Sequence, residues 1–243
     1  MKILTWNVLH RVHGEKYDEP AIRAWHAEDE RVEGVVSLVV EALRRGESDV
    51  ALLQEVSGDV LRELRARLPE HVVLNHQYPR IPDARGLAAR LQDPSEHLVV
   101  VAPSGAKVVA RHTFTNESGK GYLGVGVTPA LVAVSAHLGF REKAQPQFAV
   151  LASLGRLGSG AVCIGGDFNV ERRAVAEALG PAFEIGLLPE GSRRTRPRED
   201  ATGGRDIDHL IAHGGRLTDL KVLEHRNLSD HRPVVATWSP SSQ

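Results

Sequence analysis

Ten short apolar runs recur along the chain: "KILTWNV", "DVALLQEV", "HVVLNHQY", "HLVVVAP", "AKVVARHTF", "YLGVGVTPALVAVSAHL", "AVCIGGDF", "IDHLIAH", "RLTDLKVLEH" and "PVVATWS". They are rich in Val, Ile and Leu and bounded by Gly, Pro, Asp or Ser, which predicts strands. Inside the longest run, "TPAL" predicts a hairpin turn joining two strands. Helical spacing appears elsewhere. Over 29–45, Val32, Val35, Val36, Val39 and Leu43 share one face. Over 57–67 a Ser cap precedes Val60, Leu61 and Leu64, and 142–157 carries Phe148, Leu151 and Leu154. A shorter helix is expected over 171–179. Strands dominate and do not alternate strictly with helices. The expectation is two packed sheets with helices outside them, in one domain. The Pro- and Arg-rich stretches 78–96 and 191–206 are the expected long surface loops.

Composition narrows the picture. Over 243 residues the formal net charge is −1, so the chain as a whole lacks the basic footprint of a nucleic-acid binder, and only a local patch could supply one. The single cysteine, Cys163, lies in an apolar run and reads as a buried small hydrophobe. The chain opens without an apolar stretch of signal-peptide length, and no run approaches the ~20 residues of a spanning helix. A cytoplasmic, monomeric protein with no membrane span is expected.

Strong polar residues collect at the margins of the apolar runs. Asn7 ends "KILTWN", Glu55 ends "VALLQE", His137 ends "LVAVSAH", and Asp167 with Asn169 ends "VCIGGDFN". Asp208 lies in "IDHLIA", and Asp230 and His231 precede "RPVVA". Each has a structural reading of its own. Asn7 could satisfy a strand end, Glu55 could be a helix N-terminal charge near Ser57, and Asp167 with Asn169 could form an Asx-turn. Asp230 could cap a turn, and His231 could be a satisfied core histidine. Together the groups suit one job. Carboxylates and an amide oxygen are hard ligands for Mg²⁺ or Mn²⁺. A further carboxylate can orient or deprotonate water, and a histidine held by another carboxylate can meet a phosphate oxygen. That combination describes metal-assisted attack of water on a phosphoester. There is no Cys/His cluster, H-E-x-x-H, G-x-S-x-G or P-loop.

"TWNV", "LLQEV", "SAHL", "GGDFN", "DIDHLIA" and "SDHRPV", in this order and across nearly the whole chain, resemble the endonuclease/exonuclease/phosphatase superfamily. The resemblance implies an α/β (α+β) fold of the DNase I type: a four-layered αββα sandwich with two mixed β-sheets face to face. It also implies roles. Glu55, assisted by Asn7 and Asp230, would hold Mg²⁺, with Mn²⁺ a possible substitute. Asp167 would position the attacking water and Asn169 the developing charge. His231, backed by Asp208, and His137 would face the phosphate. The loop "GSRRTRPREDATGGR" has no aromatic residue and "VVVAPSG" replaces the usual "SR-x-P" segment, so the AP-endonuclease branch is not indicated.

Arg193, Arg194, Arg196, Arg198 and Arg205 form the one dense basic cluster, either a solvated loop or a phosphate grip. Tyr78, Arg80 and Arg85 are a second candidate rim. His10, His13 and His97 could line a cleft, while His209 and His213 read as incidental. The leading expectation is a Mg²⁺-dependent phosphodiesterase acting on nucleic acid. The alternative is a phosphoesterase of a small molecule such as a nucleotide, sugar or lipid headgroup. A non-catalytic domain on the same fold would be expected to have lost some of this set.

Overall fold

The apolar runs are continuous rather than alternating because their strands are covered on both faces. The computed structural model describes residues 1–83, 91–156, 160–198 and 203–241. Arg85 and parts of both expected loops lie outside them.

In the first sheet, β1 (Lys2–Asn7) runs parallel to β2 (Val50–Ser57) and antiparallel to β14 (Val234–Pro240). Beyond β2 lie β4 (Glu96–Pro103) and β3 (His71–Gln77), and beyond β14 lies β13 (Gly215–Val222). In the second sheet, β7 (Leu131–His137) runs parallel to β8 (Ala161–Asp167). It continues through β6 (Gly121–Thr128) and β5 (Lys107–Thr113) on one side, and β12 (Asp208–His213) and β9 (Glu184–Ile185) on the other. A two-stranded ribbon pairs β10 (Arg196–Pro197) with β11 (Gly204–Arg205). Each sheet is mixed, with one parallel pair apiece.

Side chains sort by strand period. Ile3, Val50, Leu52, Leu98 and Val100 face Leu123, Val125, Ala133, Cys163 and Leu210 across the two sheets. The alternate residues Leu4, Trp6, Leu53 and Val99 pack under α3 (Glu28–Arg44) and α4 (Gly58–Arg67). On the far side Val134, Ala136 and Ile164 lie under Phe148 and Leu151 of α5 (Ala144–Ser153) and Val175 of α6 (Arg172–Leu179). The four layers expected from the sequence are present. Helix α3 buries the apolar stripe its spacing predicted, and Ser57 caps α4 by accepting from the Val60 N–H at 3.3 Å. The third expected helix is shorter than its pattern, running on at each end only as a 3-10 turn. Two helices were not foreseen, α1 (Arg11–Lys16) and α2 (Pro20–Ala24), because neither is long enough to display a period. No helix among the described residues is long and apolar enough to cross a membrane.

Two glycines of β8 permit close approach at one end, Gly166 to the neighbouring strand β7 and Gly165 to the facing sheet. A Cβ on Gly166 would lie 1.8 Å from the Ala136 carbonyl oxygen, and one on Gly165 would meet Leu52 and Leu210 at 2.8 Å. Gly166→Ala must therefore move backbone, and a loss of about 3 kcal/mol is expected. Thermal unfolding of the purified variant checks this, and an unchanged midpoint would contradict the packing described. Beside the glycines, Gln54 Nε2 donates to Ser135 Oγ at 3.0 Å, and Ser135 Oγ to the Leu53 carbonyl at 3.0 Å, a polar tie between sheets within the core.

Candidate active site

A parallel pair sends both its strand ends the same way, and each sheet has one such pair. Asn7 ends β1, Glu55 lies near the end of β2, and His137 and Asp167 end β7 and β8. Register finishes the assembly: Asp167 pairs with His137 on one side and Asp208 on the other. Glu55 sits in a β-bulge at φ 55, left-handed backbone that a non-glycine residue occupies only when its surroundings impose it. The bulge turns its carboxylate to Asn7. Asn169 is also left-handed, at φ 57.

Asp167 does two jobs, one with each oxygen. Its Oδ1 accepts the Asn169 backbone N–H at 2.9 Å, the Asx-turn that its sequence context suggested. Its Oδ2 meets Asn7 Nδ2 at 3.1 Å, His137 Nε2 at 3.3 Å and His231 Nε2 at 3.8 Å. Asn7 Nδ2 also donates to Glu55 Oε1 at 3.1 Å, and Glu55 Oε2 accepts the His10 N–H at 3.1 Å. His231 Nδ1 faces both oxygens of Asp208, at 2.8 and 3.0 Å, which leaves Nε2 pointing into the cleft. The Asn169 side chain donates to the Leu138 carbonyl at 2.8 Å, while its Oδ1 is buried without a partner.

Asp167, Glu55 and His231 are almost wholly buried and still charged. Burial works against the Asp167 carboxylate, but His231, His137 and Lys120 outweigh it and hold its pKa well below the usual range. Glu55 is likewise held low: burial opposes, and His13, His137 and Lys120 prevail with the Asn7 hydrogen bond. Burial favours a neutral His231, but Asp208, Asp230 and Asp167 raise its pKa to about 10, so the ring is an imidazolium at neutral pH.

Lys120 and Glu96 join this cluster unmarked by the sequence pattern, and His13, a candidate cleft residue, joins it with them. Lys120 Nζ lies 3.3 Å from His137 Nδ1 and also contacts Nε2. Its backbone is held by a turn in which Lys120 N–H donates to Glu117 and its carbonyl accepts from Phe114, at 3.0 and 2.9 Å. A Cβ on the following Gly121 would lie 2.1 Å from the His112 carbonyl, so only glycine lets the chain enter β6 this way. The legible signal was a lone lysine between two glycines at a strand entrance. Glu96, fully buried, meets His13 Nε2 at 3.2 Å and Arg80 Nη2 at 3.5 Å.

Of the arginine cluster only Arg196 reaches the cleft. Its Nε and Nη2 donate to Asp230 Oδ2 at 3.1 and 2.8 Å, and Nη2 also to Glu19 at 3.2 Å. Arg193 pairs with Glu224, Arg194 with Asp206 and Arg205 with Glu171 on the surface, and Arg198 lines a neighbouring cavity. Tyr78 is buried rather than on a rim, and His97 bonds Asn75 and Ser95. His209 donates to the Val170 carbonyl and His213 packs on Phe183. Arg31, 1% exposed, ties the loop after β1 to the loop before β14 through the carbonyls of Val8, Leu9 and Leu228.

The donor set fits a hard divalent cation. Ligand atoms of Glu55, His137 and Asp167 lie within 4.8 Å of one another, and the unpartnered Asn169 Oδ1 is a further buried oxygen at the same strand end. Around them a cleft of about 410 Å³ opens between Tyr17, Phe140, Lys120 and Arg196.

Solved structures share this fold. D. rerio TDP2 humanized by 14 mutations superposes with a TM-score of 0.70 at 16% identity, covering 98% of this chain and 98% of that one. D. rerio TDP2 complexed with a single-strand DNA product gives 0.68 at 16%, again covering 98% of each. An endonuclease/exonuclease/phosphatase from Bacteroides vulgatus gives 0.69 at 16%, covering 99% and 98%. The human Nocturnin catalytic domain with bound sulfate gives 0.66 at 16%, covering 99% and 93%. No curated protein matches the chain in sequence. The profile described as "Endonuclease/Exonuclease/phosphatase family" matches residues 4–231, and the chain belongs to that family, whose members are hydrolases of phosphoester bonds.

Proposed function

We propose that the protein is a Mg²⁺-dependent phosphodiesterase of nucleic acid, folded as one domain around the shared core of its two sheets. The observation that carries the reading is Asp167 Oδ2, an ionised oxygen ringed by three nitrogen donors at the meeting point of both sheets. Glu55 and Asp167 would hold the cation, with Asn169 Oδ1 beside them. Asn7 and Asp230 were the expected helpers at the metal, but Asn7 turns its NH₂ toward both carboxylates and Asp230 is engaged by Arg196, so both would shape the pocket around it instead. A bound divalent cation would supply positive charge against the phosphate oxygens.

The chain's own groups do the rest. Asp167 is a weak base because its pKa is held low, so it orients the attacking water and takes the proton only as the new P–O bond forms. The opposite P–O bond breaks, and the departing oxygen takes a proton from the open side of the cleft. His231, kept cationic and aimed by Asp208, donates to a non-bridging oxygen. Lys120, buried beside His137, would supply a second donor there. Lys120→Met is expected to lower turnover roughly tenfold while the fold survives, the weight of one charge-assisted hydrogen bond. Steady-state kinetics with wild-type rates would remove Lys120 from the mechanism.

Support for a nucleic-acid substrate comes from the TDP2 structure that contains a single-strand DNA product. The test is hydrolysis of labelled single- and double-stranded DNA and RNA with Mg²⁺, Mn²⁺ or EDTA, with Asp167→Asn as blank. Metal-dependent cleavage absent from the variant supports the proposal. Phosphate release from a nucleotide, sugar phosphate or lipid headgroup, with no polymer cleaved, would favour the small-molecule alternative.

A further inference from the structure

A second cavity, of about 700 Å³, adjoins the catalytic cleft and shares Tyr17, Glu19, Phe140, Arg196 and Asp230 with it. Arg196, clamped by Glu19 and Asp230, stands between the two. Arg196 offsets part of the charge of those two carboxylates. The rest of the wall includes two arginines, Arg198 and Arg232, and the rings of Tyr17 and Phe140.

Resting on the phosphodiesterase reading, we propose that this cavity is the subsite for the nucleotide unit next to the scissile phosphate, its base lying on Tyr17 and Phe140 and its phosphate against Arg198 and Arg232. Three observations converge. First, the rings are out of place for a fold that needs only a core. Tyr17 is 63% exposed and Phe140 49%, two of the few large hydrophobics left in solvent among the described residues. Both line both cavities, so a strand threading from one to the other passes over them. Exposed rings in such a place are stacking platforms, and every base offers a π-face. Second, Tyr17 is presented rather than loose: its N–H donates to the His13 carbonyl at 3.0 Å at the end of α1, on the rim of the catalytic cleft. Third, two arginines, Arg198 and Arg232, line the cavity. Arg232 is also placed by the chain, immediately after His231, with its backbone N–H on the Thr195 carbonyl and Nη1 on the Arg194 carbonyl. Phosphate grip and catalytic imidazolium are therefore adjacent residues of one loop. The cavity also explains how a chain of near-neutral charge can hold a polyanion. The positive charge is local, and it is concentrated where one flanking phosphate would sit.

The test is binding of a fluorescein-labelled single-stranded DNA hexamer, measured by anisotropy in EDTA so that no turnover intervenes. Wild type is compared with Tyr17→Ala, Arg198→Ala and Lys221→Ala, the last a charge-matched change on β13, away from both cavities. Tyr17→Ala is expected to raise Kd roughly tenfold with the salt dependence unchanged. Arg198→Ala is expected to raise Kd several-fold and to reduce the slope of log Kd against log salt by about 0.7, one phosphate contact. Lys221→Ala should bind as wild type does. Tyr17→Ala and Arg198→Ala proteins that bind like Lys221→Ala would overturn the subsite, as would a wild type that does not bind the hexamer. If these shifts appear but no nucleic acid is cleaved with metal present, the subsite stands and the hydrolytic reading falls. Cleavage with unshifted variants gives the reverse.

Discussion

Asp167→Asn is expected to fold and to lose turnover by about a thousandfold. The substitution is nearly isosteric, and an amide Oδ1 can still accept the Asn169 N–H that closes the turn. The other atom decides the outcome. Oδ2 faces three nitrogens, and in the variant either an NH₂ meets those donors or a neutral oxygen replaces an anion. The water then loses its acceptor, which general-base removal puts at ~10²–10⁴ in rate. His231 also loses one of the three carboxylates that keep it charged. The check is single-turnover cleavage of labelled oligonucleotide alongside a thermal melt. A folded variant with near-normal turnover would sink the mechanism. A variant that fails to melt cooperatively would be replaced by Glu55→Gln, which tests the same cluster from the other sheet.

The second large effect belongs to His231. His231→Gln keeps a donor toward Asp208 and is expected to cut turnover roughly a hundredfold, the scale of one lost donor to a developing phosphate charge. Its pH signature is specific. The folded pKa of about 10 lies above the ordinary 6.5, so the stability supplied by protonated His231 is complete below pH 6.5. It is lost as pH rises from there through about 10. In EDTA the wild-type melting temperature should therefore decline across that window more steeply than that of His231→Gln. Asp167 and Glu55 carry the opposite sign. Their lowered pKa values give stability above the ordinary carboxylate range that disappears as the solution is acidified. Identical alkaline limbs for wild type and variant would show that His231 is not held as an imidazolium.

Much of the candidate site was legible because its members end apolar runs. A strand end is marked in sequence by the change from Val, Ile and Leu to Asn, Glu, Asp or His, and "GGDFN" and "SDHRPV" make that change sharply. The arginine loop was less legible. Five arginines in one stretch look equivalent, yet Arg193, Arg194 and Arg205 have surface acids beside them, while Arg196 turns inward to Asp230. Partners so distant along the chain leave no local mark. Lys120 and Glu96 are unmarked for the same reason: each is one polar residue in an ordinary context until the fold surrounds it with others.

The sequence by itself determined the strands, the principal helices, the two-sheet core and the set of carboxylates, amides and histidines, because apolar period and residue type are local properties. Tertiary structure decided what those residues do. Parallel pairing in each sheet sends Asn7, Glu55, His137 and Asp167 to one end, and a bulge at positive φ turns Glu55 inward. Register sets Asp208 beside Asp167, and Gly165 allows the facing sheet to approach closely. Charge follows from that assembly. A carboxylate or an imidazole takes its protonation state from neighbours a few ångströms away, and here those neighbours are up to 160 residues distant along the chain.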